Sequence, residues 1–180
     1  MINGILKGVK AALTDGEPGD YLDMSRAGFP KSLYALLVAG LSLIGSVYVA
    51  YGGSPSVSSA VFIIAIILFL LTAPMVIYLI CHLISRSDLF KSWVIARNWT
   101  MLILAVPVLG LAGLGAAQIL SKEIVLTAVM LLYIATLLID IRLAQTMAKM
   151  NWTPAIFVAC AVSVSAMLVL LAVFAAAAGY

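Results

Sequence analysis

Apolar residues run along this chain in five blocks, with charges only at the ends of each block. They cover roughly residues 32–51, 58–82, 98–117, 122–141 and 154–178. A transmembrane helix needs about 20 mostly apolar residues to cross about 30 Å of hydrocarbon. Each block meets that length. The pattern predicts an all-α, multi-pass transmembrane helical bundle of five spans, filling residues 32–180.

Residues 1–31 form a separate cytoplasmic or interfacial segment. Ile2, Ile5, Leu6, Val9 and Leu13 recur at helical spacing, with Lys7 and Lys10 on another face. That predicts an N-terminal amphipathic helix lying in the membrane interface, its lysines near anionic headgroups. A frayed terminus is the alternative. Thr14 to Asp20 is a breaker-rich linker, and Tyr21 to Lys31 approaches the first span through Phe29 and Pro30.

The joints are short. Gly52, Gly53, Ser54 and Pro55 predict a tight turn. Pro74 and Pro107 fall inside the second and third spans and predict kinks. Ser85 to Asp88 has the Ser-x-x-Asp spacing of a helix start. A helix from there to Ala117 would be about 45 Å long at about 1.5 Å per residue, too long for hydrocarbon alone. Residues 88–97 are therefore expected to form an amphipathic cytoplasmic extension. Ser121 is placed to cap the fourth span, with Glu123 in its first turn. A loop holding Arg142, Lys149 and Asn151 follows, and Thr153-Pro154 opens the fifth span.

Charge adds sidedness. The chain of 180 residues is 65% hydrophobic and 9% charged, with a formal charge of +3. Five crossings put Lys7, Lys10, Arg26, Lys31, Arg86, Lys91, Arg97, Arg142 and Lys149 on one side and only Lys122 on the other. The positive-inside rule then gives a cytoplasmic N-terminus and an outside, periplasmic C-terminus. Basic residues confined to span ends speak for topology, not for nucleic acid. The first long apolar run begins near Leu33 with no small-residue cleavage site after a short core, so the first span is expected to stay as an anchor.

Glycine weakens a helix unless close packing compensates. Gly40, Gly45, Gly110, Gly113 and Gly115 therefore mark candidate helix-packing faces, beside small-residue pairs such as Ala35/Ala39 and Ser42/Ser46. Those faces serve either internal packing or a partner helix.

Chemistry is sparse. No charge is expected at a bilayer centre, which speaks against a proton- or sodium-coupled carrier. Cys81 and Cys160 lie in apolar runs, where cysteine behaves as a small hydrophobe. His82 has no second histidine to share a metal with. His-Glu-x-x-His, Gly-x-Ser-x-Gly and Gly-rich phosphate loops do not occur. The expectation is no catalytic, cofactor-binding or metal residues. The one polar concentration is cytoplasmic: His82, Arg86, Asp88, Lys91, Arg97, Asn98, Asp140, Arg142, Trp93 and Trp99. Arg97 and Asp140 are its deepest members, placed for a salt bridge between helices. The cluster is either a site for lipid headgroups or a protein partner, with Lys7, Lys10, Arg86, Lys91, Arg97, Asp140 and Arg142 as contacts, or ordinary snorkelling beside interfacial tryptophans.

The five-span layout, with Tyr21-Leu22-Asp23 through Gly28-Phe29 and Val94-Ile95-Ala96-Arg97-Asn98-Trp99, resembles the Yip1-like five-helix membrane family and bacterial inner-membrane proteins of that layout. Asp23 to Pro30 departs from the Asp-Leu-x-Gly-Pro element of eukaryotic members. For bacterial members the resemblance implies a non-enzymatic protein of the inner (plasma) membrane. Residues and resemblance together lead to one expectation. The protein is a non-catalytic accessory subunit, scaffold or membrane-organising factor, contacting lipid headgroups, a membrane-protein partner or its own copies. The alternative is a passive transporter or channel for a small or lipidic solute, and a lipid-acting intramembrane enzyme stands last.

Overall fold

The computed structural model of the protein describes residues 2–14, 16–50 and 59–177. Among these residues every regular element is helical. Helix α1 spans Ile2–Leu13, and a single 3-10 turn occupies Pro18–Asp20. Five long helices follow: α2 Gly28–Ala50, α3 Ser59–Leu83, α4 Leu89–Ala116, α5 Lys122–Ala148 and α6 Trp152–Ala177. All five are long and apolar enough to cross a bilayer, and the chain is an integral membrane protein. The turn expected at Gly52, Gly53, Ser54 and Pro55 lies outside the described residues.

The outer surface makes the same point. Only 18% of the α3 span is buried inside the protein, although α3 is apolar on every side. Ile63, Ile64, Ile67, Leu71, Met75 and Leu79 all face outward. A helix hydrophobic all round and unburied by protein needs lipid as its solvent.

The helix ends differ from expectation at three places. Residues 88–97 are not an amphipathic extension. Helix α4 runs unbroken from Leu89, and Trp93, Val94, Ile95, Ala96, Arg97 and Asn98 are buried on consecutive faces. The cause is crowding: α4 packs against α1, α2, α3 and α5. Arg142 is not in a loop, because α5 continues past it to Ala148. There Lys149 takes a left-handed conformation (φ 55°) and Met150 N–H donates to Ala144 O at 3.3 Å, closing the helix. Helix α6 begins at Trp152, so Pro154 is its third residue. Pro74 and Pro107 both lie within continuous helices.

The interior is built on two close helix pairs. Ser32, Ala35, Ala39, Ser42 and Ser46 are buried along α2, and Asn98, Met101, Ala105, Val108 and Ala112 along α4. Both rows alternate steps of three and four, the 3.5-residue repeat of a coiled-coil seam. Ala39 packs with Met101 and Ala105. Small side chains let these backbones approach, which is how helices hold together in lipid. Ser32 meets Asn98 near one end and Gly45 lies against Leu109 near the other, so α2 and α4 run parallel. Helix α5 runs antiparallel to α4: Asp140 meets Arg97 and Val125 packs on Ala112. Along α3, buried Ala65, Ala73, Ile77 and Cys81 form a four-residue ridge, and α3 packs mainly on α6.

A local hydrogen-bond motif starts α2. Asp23 Oδ1 accepts from Ser25 N–H (3.1 Å) and from the Ser25 hydroxyl. Ser25 Oγ in turn accepts from Ala27 N–H (3.1 Å) and Gly28 N–H (3.4 Å), serving the free amides before the first turn. Lys31 Nζ closes on Asp23 Oδ2 at 3.0 Å. The Ser25 hydrogen bonds, then Lys31, hold the Asp23 carboxyl down at about 2. Gly28 is required here, since a Cβ on it would sit 1.7 Å from the Asp23 carbonyl oxygen.

Gly28→Ala should lower thermal stability in detergent by about 1–3 kcal/mol, because backbone must move. Gly110→Ala, where a Cβ meets nothing within 4 Å, should leave stability unchanged or raise it by up to about 1 kcal/mol. The Asp23 motif should also respond to acid. A carboxyl depressed on folding adds stability that is complete above the ordinary value of 3.8 and lost as pH falls through about 2. Pepsin cleavage around residues 21–28 should therefore rise between pH 4 and pH 2, and Asp23→Asn should cut readily at both.

Candidate functional site: an arginine–aspartate pair inside the bundle

Arg97 follows Leu89, the first residue of α4, by two turns, and Asp140 precedes Ala148, the last of α5, by the same distance. At about 1.5 Å per residue each lies about 12 Å in from its helix end. These helices are about 40 Å long against about 30 Å of hydrocarbon, so a centred bundle holds the pair about 6 Å below the hydrocarbon surface. Asp140 is thus not at a segment end. Helix α5 runs on past Arg142 to Ala148, which takes Asp140 inward.

The pair is side-on and bidentate. Arg97 Nε donates to Asp140 Oδ1 at 2.7 Å and Nη2 to Oδ2 at 3.1 Å. The two side chains are 6% and 2% exposed. A planar guanidinium offering two parallel N–H groups matches a carboxylate in both charge and shape. Ser163 of α6 completes the site, its hydroxyl donating to Asp140 Oδ2 at 2.8 Å. Tyr133 OH donates to the Ser163 carbonyl at 3.3 Å. Next along α4, Asn98 Nδ2 donates to Ser32 Oγ of α2 at 3.2 Å, and Ser32 donates to Phe29 O at 2.8 Å. One polar layer therefore links α2, α4, α5 and α6.

One group in this region is left over. The indole N–H of Trp93, one turn before Arg97, is buried with no hydrogen-bond partner among the described residues. Trp93 belongs to the large apolar cluster with Cys81, Leu143, Ala144 and Ala159.

The other candidate residues are scattered. Lys7 and Lys10 are exposed on α1, and Lys91 on α4. Arg86 is exposed and pairs with Asp88 at 3.2 Å, which keeps the Asp88 carboxyl below its ordinary value. Arg142 is half-buried and donates through Nε to Leu13 O (3.1 Å) and through Nη1 to Gln145 Oε1 (3.2 Å). Arg97 and Asp140 differ from these, since both are turned inward onto each other. Gly40 is packed: a Cβ there would lie 2.9 Å from Leu70 of α3. Gly45 has ordinary room against Leu109, and Gly110 and Gly113 face open space. His82 is exposed and stacked on Tyr78 with centroids 6.4 Å apart. No cluster of three or more metal-ligand residues occurs among the described residues.

These features define an integral membrane helix bundle with an ion pair locked between its helices. No family model, curated protein or solved structure matches the chain.

The pair's role can be tested by removal. Arg97→Met or Asp140→Leu alone strands a buried charge and should cost about 3–5 kcal/mol. The double variant strands neither and should recover most of that loss. Denaturant or thermal unfolding of the protein in micelles reads both.

Proposed function

We propose that the protein is a non-catalytic membrane scaffold or accessory subunit, associating through helix faces in the bilayer and a basic rim at one end. One observation carries this reading. Inside the bundle Gly40 faces Leu70 and the Arg97, Asp140 and Ser163 side chains are matched to one another, whereas the Gly110/Gly113 face of α4 has no neighbour within reach of an added Cβ. Exposed Val106, Leu109 and Leu114 flank it. Glycine in a helix carries a conformational cost, and a second helix packed on that face would offset it. The basic rim sets sidedness: Arg26, Lys31, Arg86, Lys91 and Lys149 gather at the end where α2, α4 and α6 begin, which favours a cytoplasmic N-terminus. A bacterial inner membrane fits that charge bias.

A passive carrier is the second reading. Ionisable residues inside a membrane commonly line solute paths, and Arg97–Asp140 is such a pair. Its closed bidentate geometry and the Ser163 bond favour a structural lock instead.

Native mass spectrometry from membranes, with dilution-dependent energy transfer in lipid, separates the two. The scaffold reading expects a complex, with itself or another membrane protein, that Gly110→Leu/Gly113→Leu dissolves without lowering thermal stability. A monomer unchanged by that variant, together with solute flux in liposomes that Asp140→Asn abolishes, would establish the carrier.

A further inference from the structure

A helix end normally leaves four carbonyls without partners. In α1 all four are met. Thr14 Oγ1 donates to Lys10 O at 2.8 Å, and Gly16 N–H donates to Ala11 O at 2.9 Å. The last two are met from α5: Thr146 Oγ1 donates to Ala12 O at 2.6 Å, and Arg142 Nε donates to Leu13 O at 3.1 Å. The Arg142 charge also faces the negative end of the α1 dipole. Gly8, Val9, Ala11 and Ala12 are buried beneath, and a Cβ on Gly8 would lie 2.4 Å from Leu22. Helix α1 is therefore fixed on the bundle by backbone and small side chains, with its orientation set.

That leaves two sectors facing outward. Successive residues turn by about 100° around a helix. Ile2 (73% exposed) and Leu6 (47% exposed) share one side, and Asn3, Lys7 and Lys10 share the next. Helix α1 holds no acidic residue. A small-residue face on protein, then an apolar strip, then a basic strip is the order met by a helix lying beside a bundle at the edge of a bilayer. The apolar strip reaches acyl chains and the lysines reach phosphates.

We infer that α1 is a fixed ledge that binds anionic phospholipid headgroups through Lys7 and Lys10, with Ile2 and Leu6 inserted beside them. The inference shares with the scaffold reading only the membrane setting, and needs no partner helix. Two lysines at a membrane surface should give a several-fold preference for anionic over zwitterionic lipid.

The test uses full-length protein with Cys81 and Cys160 replaced by alanine and Leu6→Cys carrying an environment-sensitive fluorophore. It is reconstituted in vesicles of phosphatidylcholine alone or mixed with phosphatidylglycerol. Spin-labelled lipid should quench the probe, more strongly when the spin label sits on phosphatidylglycerol. Lys7→Gln/Lys10→Gln should remove that preference and leave quenching by spin-labelled phosphatidylcholine. A probe open to aqueous quencher, or a lipid preference unchanged by the double variant, would overturn the inference. So would lipid quenching that falls as protein density rises with Leu6→Cys forming disulfide dimers, since a second copy would then cover the face. Each outcome is independent of whether Gly110 and Gly113 hold a partner.

Discussion

A charge inside hydrocarbon must be neutralised where it stands, and the bundle is arranged around that requirement. Arg97 and Asp140 lie on antiparallel helices at matching depth, so the guanidinium and carboxylate meet side-on. Buried pairs seldom add net stability over apolar side chains, but breaking one is costly. Their value lies in register. If α5 slid by one turn against α4, the carboxylate would move about 5.4 Å along the axis, and the guanidinium and carboxylate would both lose their partner. Ser163 extends the same constraint to α6 and the Asn98–Ser32 bond extends it to α2. Four helices are thus indexed at one level, while lipid-like apolar contacts elsewhere distinguish registers only weakly.

Around that layer the work is done by small side chains. The seam of Ser32, Ala35, Ala39, Ser42 and Ser46 against Met101, Ala105 and Ala112 lets α2 and α4 close together. Serine hydroxyls along it turn back onto their own helix, as Ser42 does onto Val38 O (2.7 Å) and Ser46 onto Ser42 O (2.6 Å). They spend their polarity locally and present a compact, nearly apolar side to the neighbour. Helix α1 is attached by similar economy: α5 supplies two donors to its last carbonyls, and glycine and alanine do the rest.

Much of this was legible in residue pattern. Apolar block length gives the five membrane helices directly, because hydrocarbon thickness is a hard constraint. Charge position exposed Arg97 and Asp140 as the deepest pair, and the alternation of small residues marked the α2 face. Helix ends were not legible. In the sequence Arg142 marks a loop, since a charge reads as an exit from the membrane. In the fold it donates to a backbone carbonyl of α1 and to Gln145. Residues 88–97 read as an extension outside the hydrocarbon because the helix exceeds its thickness, yet neighbours on several sides bury Trp93 to Arg97. The role of Ser163 was not legible: its hydroxyl becomes a partner of Asp140 only when three helices are assembled. The glycines split in the same way, Gly40 against Leu70 and Gly110 against open space, a difference set by which neighbour each turn happens to face.

The central claim is that Arg97 is held on Asp140 in the folded membrane protein. Hydrogen exchange at the arginine Nε–H groups, in isotope-labelled protein in lipid nanodiscs, addresses it most directly. Arg86 serves as an internal reference, because its side chain is 50% exposed. The account predicts that the Arg97 Nε–H, assigned by its loss in Arg97→Lys, exchanges far more slowly than that of Arg86. Equal exchange at the two sites would contradict it.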